Sequence, residues 1–319
     1  MTMQSNNIRF TRAVETELSL RKSLARKIYK EKRNMLERKY PDILSIEREI
    51  NDIAIDIANK IVNMPSESET LCRLAEGLID SKRNQLNNKL IEYGLPVDYL
   101  DEQYVCATCR DTGIINGNMC SCIRQLAVNS LFDGSGLNPS ENFDSYREDL
   151  ITDERQRRAA LRIRDYCYEY AVQFPNCDKR ELLLIGAPGV GKTYLLNCIG
   201  GKLLSTGYSV LKLTASRLIQ TVIDGFKSSL SERPDFLLPE LLIIDDLGAE
   251  PMIKNVTVET LLSVICERQD ANRATLFATN CKTNALEDMY GSRIVSRMLA
   301  PRTAKVILID SVNLRMLNK

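Results

Sequence analysis

The first ninety residues carry apolar side chains at the three- and four-residue spacing of amphipathic helices. Residues 11–40 contain neither proline nor glycine and are rich in Leu, Lys, Arg and Glu, which favours a helix. Isoleucines then repeat along residues 43–61, and leucines repeat along residues 71–90. The pattern predicts three helices over residues 11–93, arranged as an antiparallel bundle or hairpin. Such a module is more typical of partner binding than of chemistry.

A different pattern begins near residue 151, where short runs of consecutive apolar residues alternate with helical stretches. Consecutive apolar β-formers are typical of strands that are buried on both faces. We predict strands at residues 182–185, 208–213, 241–245, 274–278 and 305–309. Alternating strands and helices require crossover connections. The pattern therefore predicts an α/β fold, with a five-stranded parallel sheet and helices on both of its faces.

A glycine-rich loop, GAPGVGKT at residues 186–193, joins the first strand of this region to a helix. This setting is the one in which G-x-x-x-x-G-K-T cradles the phosphates of a nucleotide. The loop comprises Gly186, Ala187, Pro188, Gly189, Val190, Gly191, Lys192 and Thr193, with Tyr194 next to it. Lys192 would reach the β- and γ-phosphates, and the Thr193 hydroxyl would bind Mg²⁺. A glycine-rich turn that matches by chance is the alternative, and the flanking strand and helix disfavour it.

Polar residues follow two later strands. Asp245 and Asp246 end the run LLIIDD, and Asn280 follows the strand at residues 274–278. Ligands bind at the carboxyl edge of parallel sheets. We therefore expect Asp245 to hold Mg²⁺, Asp246 to orient or deprotonate the attacking water, and Asn280 to contact the γ-phosphate. Without the glycine-rich loop, LLIIDD would equally fit a buried strand with a capped end.

Two arginines, Arg293 and Arg297, are four residues apart and fall on one face of a short helix. An arginine that reaches a γ-phosphate from a neighbouring subunit accelerates hydrolysis by roughly 10³–10⁵. Two surface arginines are the alternative interpretation. A second basic feature lies between residues 21 and 39, a segment that contains nine Lys or Arg residues and only two Glu. That helix face is either solvated or contacts nucleic acid or an acidic partner helix.

Four of the ten cysteines cluster as two close pairs, Cys106 with Cys109 and Cys120 with Cys122. A turn between the pairs would bring four thiolates to one ion, and four sulfur ligands suit structural Zn²⁺. The second pair has C-x-C spacing, so an iron–sulfur cluster or four free thiols remain alternatives. A segment this short would need the metal to fold.

The amino-acid composition excludes several classes of function but does not by itself identify one. The 319-residue chain is 44% hydrophobic, 27% charged and has a net charge of +1, as expected of a globular protein without an overall bias toward nucleic acid. It contains no histidine, which excludes imidazole catalysis and imidazole metal ligands. We expect a cytoplasmic location and no membrane contact, because no apolar run is long enough to span a bilayer and residues 1–10 lack a signal core.

The order of GAPGVGKT, LLIIDDLGAE, ATLFATN and GSRIVSRM resembles the DnaC/DnaI/IstB branch of AAA+ ATPases. Residues 95–125, with their tyrosines and cysteines, and Asn142-Phe143 resemble the helicase loaders of Gram-positive bacteria and their phages. The resemblance implies that the chain binds ATP or ADP and single-stranded DNA, and that it self-associates through the ATPase domain. It also implies that the N-terminal region binds a hexameric DnaB-type helicase. It also implies roles for Asn280 as a sensor, Arg297 as an arginine finger with Arg293 as a neighbouring candidate, and Arg315 as a displaced second sensor.

These features divide the chain into a helical partner-binding domain (residues 1–93), a zinc knuckle (94–126), a linker (127–150) and an AAA+ ATPase domain (151–319). The first functional hypothesis is an ATP-dependent helicase loader. The second is a transposition helper of the IstB type, which shares the ATPase core; the basic helix and the knuckle favour the loader. A small-molecule kinase is the third, and the tandem acids and paired arginines argue against it.

Overall fold

The computed structural model describes residues 12–64, 68–132, 134–225 and 234–316, and the side chain of residue 315 is outside this set. The chain divides into two compact units. One unit is Thr16–Thr112, and the other is Gly113–Lys319 together with Met1–Glu15. Within the described ranges, no helix combines the length and the apolar character that crossing a bilayer demands.

The N-terminal helical region is confirmed. Its helices are α1 (Arg12–Lys39), α2 (Pro41–Asn63) and α3 (Ser68–Glu92). Helices α2 and α3 run antiparallel, since Lys89 lies 3.7 Å from Asp42 while Lys82 pairs with Glu49. The base of this hairpin holds a small core, in which the buried members are Leu36, Ile43, Leu44 and Leu90. Toward the other end of the hairpin, four apolar side chains of the described residues are exposed, namely Val62, Met64, Leu74 and Leu78.

A small hairpin of β1 (Ile114–Ile115) and β2 (Asn118–Met119) opens the second unit and is followed by helix α4 (Ser121–Phe132). Helix α4 was not anticipated from the sequence. Its buried residues face the sheet, and Gln125 exchanges hydrogen bonds of 3.1 and 2.7 Å with the backbone of Val210. The helix thus covers the edge strand of the sheet. Residues 121–126 of this helix fall in the segment predicted as the zinc knuckle, and residues 127–132 fall in the predicted linker.

The predicted five-stranded parallel sheet is confirmed, with strand order β4-β5-β6-β3-β7. Its strands are β3 (Glu181–Gly186), β4 (Val210–Thr214), β5 (Leu241–Leu247), β6 (Ala274–Thr279) and β7 (Ala304–Ile309). The helices are α5 (Glu154–Gln173), α6 (Lys192–Ser205), α7 (Ala215–Gly225), α8 (Thr257–Asp270), α9 (Thr283–Tyr290) and α10 (Ser292–Met298). Their buried side chains form two apolar cores, one on each face of the sheet.

The two cores follow from the alternation of side chains along each strand. Leu182 and Leu184 face the core that α5 and α6 cover, whereas Leu183 and Ile185 face the core that α7, α8 and α10 cover. Strand β3 pairs with β6 on one side and with β7 on the other. The strand that carries the glycine-rich loop is therefore held in the interior of the sheet.

A buried arginine anchors the chain where it enters β5. Arg268 is fully buried, and its guanidinium donates to Thr275 Oγ1 at 2.9 Å, to the Pro239 carbonyl at 3.0 Å and to further backbone carbonyls. Burial lowers its pKa to about 9, so the guanidinium still carries its charge at neutral pH. These bonds fix the segment before Leu241 against β6, and so help to position the start of β5.

Candidate functional site

The glycine-rich loop turns sharply between β3 and α6. Gly189 and Gly191 have φ values of +83° and +95°, which residues with a side chain rarely adopt. Gly191 caps the N-terminus of α6, and the helix begins at Lys192. Its first backbone N–H groups are left without helical acceptors, so this end of the helix favours an anion.

Lys192 is buried, with 6% of its surface exposed, and its ammonium contacts three oxygen atoms. Nζ donates to the carbonyls of Gly186 and Ala187 at 2.8 Å each, and to Oδ1 of Asn280 at 2.7 Å. The sequence predicted Lys192 and Asn280 for the same phosphate, and the fold brings them into direct contact. A phosphate oxygen entering the loop would exchange with these acceptors.

The two acids at the end of β5 lie in different environments, and the pairing of β5 with β6 is irregular there. Register shifts between Ile244 and Leu247, and Asp246 has a φ of +51°. Asp245 is 2% exposed, and its Oδ1 accepts a hydrogen bond of 2.9 Å from the backbone N–H of Asp246. Asp246 itself is exposed and lines the pocket. One carboxylate is thus held inside, and the other is available to solvent.

Asn280 is held in place by its neighbours along the chain. The buried hydroxyl of Thr279 donates to the carbonyl of Leu247 at 2.6 Å, and accepts from the backbone N–H of Cys281 at 3.0 Å. These bonds tie the end of β6 to the end of β5. The polar amide that follows β6 is therefore fixed relative to the acidic pair.

A pocket of about 400 Å³ opens in front of the loop. Eight residues predicted for the nucleotide site line it, namely Pro188, Gly189, Gly191, Lys192, Thr193, Tyr194, Asp246 and Asn280. Of the remaining loop residues, Gly186 and Ala187 supply carbonyls to Lys192, and Val190 packs into the core beneath. Asp245 lies behind the pocket and is not part of its wall.

The sequence analysis missed the other wall of this pocket, which Glu141, Ser145, Tyr146, Arg147, Leu150 and Leu314 form. All but Leu314 belong to the segment expected to be a linker. Asn197 of α6 donates to Glu141 at 2.7 Å, and Tyr194 lies 3.0 Å from the Ser145 hydroxyl. The segment is pinned to the loop helix. Its turn-rich composition gave no signal of this, and only the Asn142-Phe143 resemblance marked it.

Two tyrosines, one from this wall and one from α6, meet at the pocket. The rings of Tyr146 and Tyr194 meet edge to face, with centroids 5.8 Å apart, and Arg164 lies over the Tyr146 ring. Burial raises the pKa of both Tyr146 and Tyr194 above the usual value, so both phenols remain protonated donors at neutral pH. Aromatic rings next to a phosphate loop suit a nucleoside base, which can pack against them.

The two arginines of α10 do not reach this pocket. Arg293 is exposed, and Arg297 donates from Nη1 to the Arg293 carbonyl at 3.2 Å. Their position leaves the role of Arg297 as an arginine finger a prediction, because a finger acts on the site of a neighbouring subunit. The predicted second sensor, Arg315, has a side chain outside the described residues.

The four clustered cysteines form a knuckle whose sulfur atoms all lie within 4.8 Å of one another. Cys109 and Cys120 are buried, and the backbone N–H of Cys120 donates to the Gly113 carbonyl at 2.8 Å. Thiolate sulfurs at this separation fit the tetrahedral ligand set of Zn²⁺. The buried Asp111 carboxylate accepts the N–H groups of Val105 and Cys106, at 2.9 and 3.0 Å, and so braces the first pair.

The fold and the phosphate loop define a P-loop ATPase of the AAA+ class. Residues 170–311 match the family model described as IstB-like ATP binding protein. The match covers less than half of the chain, and it makes that segment similar to the ATP-binding domains that the sequence motifs resemble.

Curated relatives extend this likeness. The chain is 26% identical over 179 residues to the replicative helicase loader DnaC of Escherichia coli K12, across 55% of this chain and 71% of that protein. It is 24% identical over 249 residues to the phage-like element PBSX protein XkdC of Bacillus subtilis, across 70% of this chain and 89% of that protein. It is 27% identical over 124 residues to the IS21 putative ATP-binding protein of Pseudomonas aeruginosa, across 38% and 46%.

Replacing the buried ammonium should remove nucleotide binding. We expect Lys192→Ala to weaken ATP binding by at least about tenfold and to abolish hydrolysis, because no other buried cation lines the described pocket wall. Binding of a fluorescent ATP analogue and phosphate release are the measurements. Lys179→Ala, at a partly exposed lysine before β3, is the matched control. Unchanged hydrolysis in Lys192→Ala would contradict the assigned site.

The knuckle predicts one bound zinc ion per chain. Elemental analysis of purified protein should find zinc near one equivalent, and a chelator should lower the melting temperature, because metal binding and folding of such a segment are coupled. Cys106→Ser should lower the zinc content, whereas Cys72→Ser, at an exposed cysteine of α3, should leave it unchanged. Iron with sulfide, or no metal, would refute the assignment.

Proposed function

We propose that this protein is an ATP-dependent helicase loader. In this proposal it binds a hexameric, DnaB-type replicative helicase through its N-terminal helices and delivers it to single-stranded DNA in the cytoplasm. The observation that carries the proposal is an AAA+ nucleotide site in a chain that is similar to a replicative helicase loader over 71% of that protein's length.

The N-terminal helices supply a surface that suits a protein partner. Val62 and Met64 at the end of α2 are 78% and 53% exposed, and Leu74 and Leu78 of α3 are 56% and 45% exposed. Clustered exposed apolar side chains, mixed with charge, are typical of interaction sites. The basic face of α1 adds lysines and arginines along the same unit, which suits an acidic partner helix or a nucleic-acid backbone.

The nucleotide site suits a switch that depends on bound phosphate. The Lys192 ammonium donates to two loop carbonyls and to Asn280. Phosphate oxygens would take these positions, so Lys192 and Asn280 report on the same γ-phosphate. Asp246, exposed at the pocket wall, is available to orient or deprotonate a water molecule.

Mg²⁺ belongs to this proposal through Thr193 and Asp245. A hydroxyl and a carboxylate are the hard oxygen ligands that Mg²⁺ prefers, and the buried Asp245 carboxylate is already oriented by the Asp246 N–H. The residues therefore fit the ion. When bound, Mg²⁺ would neutralise negative charge on the phosphate oxygens.

A transposition helper of the IstB type is the second candidate, because the matching family model is IstB-like and an IS21 protein is among the relatives. The helical unit Thr16–Thr112 and the cysteine knuckle favour the loader by their resemblance to loaders. The partner that co-purifies with the chain separates the two proposals.

If the chain self-associates, Arg297 should contribute to ATP hydrolysis at the site of a neighbouring subunit. We expect Arg297→Ala to bind ATP as the wild type does, but to lose about tenfold or more of the ATPase activity that rises with protein concentration. Arg302→Ala, an exposed arginine before β7, is the control. Equal loss of nucleotide binding by the Arg297 variant would contradict a role at a neighbouring subunit's site.

We expect the exposed apolar end of the helical unit to bind the helicase. The tagged full chain should co-purify with a DnaB-type helicase from its host, and the double variant Val62→Glu, Leu74→Glu should lose that capture, because charge would have to be buried at the contact. Leu308→Glu is the control, since Leu308 is 70% exposed but lies on β7. Capture of a transposase instead would support the second candidate, and unchanged capture by the double variant would place the contact elsewhere.

A further inference from the structure

A second lysine, Lys212, is largely enclosed on the edge strand β4. The side chain of Lys212 is 12% exposed, and its Nζ lies 3.4 Å from Oδ2 of Asp245, which is itself 3% exposed. Thr214 is the register partner of Asp245, so Lys212 stands two residues earlier on the same face of the sheet. The pairing is therefore fixed by strand register and does not depend on a flexible surface contact.

A polar chain continues from Lys212 to the wall of the nucleotide pocket. Nζ of Lys212 donates to Oδ1 of Asn197 at 3.1 Å, and Nδ2 of Asn197 donates to Oε2 of Glu141 at 2.7 Å. Asn197 is 2% exposed and belongs to α6, the helix that begins at the phosphate loop. Four side chains from four separate parts of the second unit thus form one line, from Asp245 to Glu141.

We propose that Lys212 is the resident counter-ion of Asp245, and that Mg²⁺ must compete with it when nucleotide binds. Lys212 is then a positioning residue that sets how much the metal adds to nucleotide affinity. The inference rests on the assignment of Asp245 as a Mg²⁺ ligand in the proposed function, and it does not depend on the identity of the helicase or of any other partner.

The electrostatics give the direction of the effect. A carboxylate removed from water needs a partner, and Lys212 is the cation that the described residues supply within 4 Å. A divalent ion that approaches the same carboxylate is repelled by the ammonium beside it, because like charges interact strongly where water is excluded. Lys212 therefore weakens Mg²⁺ binding while it stabilises Asp245 without the metal.

If Mg²⁺ displaces Lys212 from Asp245, Asn197 and Glu141 still provide partners for the ammonium. The Asn197 carboxamide keeps one acceptor on the ammonium, and the Glu141 carboxylate behind it supplies the balancing negative charge. Glu141 also lines the pocket, on the segment that carries Tyr146. A shift of Lys212 away from Asp245 would therefore change the hydrogen bonds of Asn197 and Glu141, and Glu141 lies in the pocket wall that would face a bound nucleotide.

The test is the ratio between the affinities for fluorescent ADP measured with Mg²⁺ and with EDTA. This ratio is the coupling between metal and nucleotide, and it does not involve hydrolysis. We expect Lys212→Met and Lys212→Gln to raise the ratio by about fivefold or more, which is the lower range of measured couplings. Lys212→Arg keeps the charge and should stay within about twofold of the wild type.

Lys305→Met is the matched control, because Lys305 is a strand lysine of the same sheet, on β7, with an exposed side chain. It should leave the ratio unchanged. An unchanged or lowered ratio in both neutral Lys212 variants would overturn the proposal. Failure of both variants to fold, seen as loss of a cooperative thermal transition, would also overturn it, because a counter-ion that Mg²⁺ can replace is not indispensable to the fold.

Asp245→Asn separates this inference from the assignment beneath it. If Asp245 holds the metal, Asp245→Asn should reduce the ratio toward one, and adding Lys212→Met to it should change nothing further. A wild-type protein whose ADP affinity is the same in Mg²⁺ and in EDTA would overturn both the metal assignment and the inference. Helicase capture, measured separately, tests the loader function independently of either result.

Discussion

The buried ammonium of Lys192 is the charge on which the nucleotide site depends. A cation that is almost fully removed from water is tolerated only with acceptors around it, and here these are two loop carbonyls and the Asn280 amide. The glycines allow those carbonyls to turn inward, and the end of β6 brings the amide. The loop, the helix it opens and the strand that carries Asn280 are therefore tied to one atom.

The parallel sheet makes this convergence possible. Because β5 and β6 are neighbours and β3 lies next to β6, the residues that follow these strands meet at one edge. The irregular pairing after Ile244 then gives the two acids different environments: Asp245 is enclosed and Asp246 is exposed. In a regular strand, successive side chains also point to opposite faces of the sheet. At Asp246 the backbone is left-handed, and its carboxylate lines the pocket.

The sequence predicted those parts of the site that have a period or a motif. The buried strands, GAPGVGKT and the acidic pair are local patterns, and the structure contains each of them where expected. The wall formed by Glu141, Ser145 and Tyr146 could not be predicted, since its contacts with α6 join residues about fifty positions apart. A turn-rich segment looks the same in sequence whether it links two domains or packs against one.

Lys192 and Lys212 show the same limit in electrostatic terms. Each has an asparagine oxygen on its ammonium, Asn280 for Lys192 and Asn197 for Lys212, yet only the first lysine stands in a recognisable motif. In the sequence, Lys212 is one polar residue within the apolar run of β4, and alternation alone would assign it to a solvated face. Register with β5 instead places it beside a buried carboxylate. The positive charge beside the Asp245 carboxylate is thus supplied by a residue outside every motif, and the charge distribution of the site follows from strand pairing as much as from the phosphate loop.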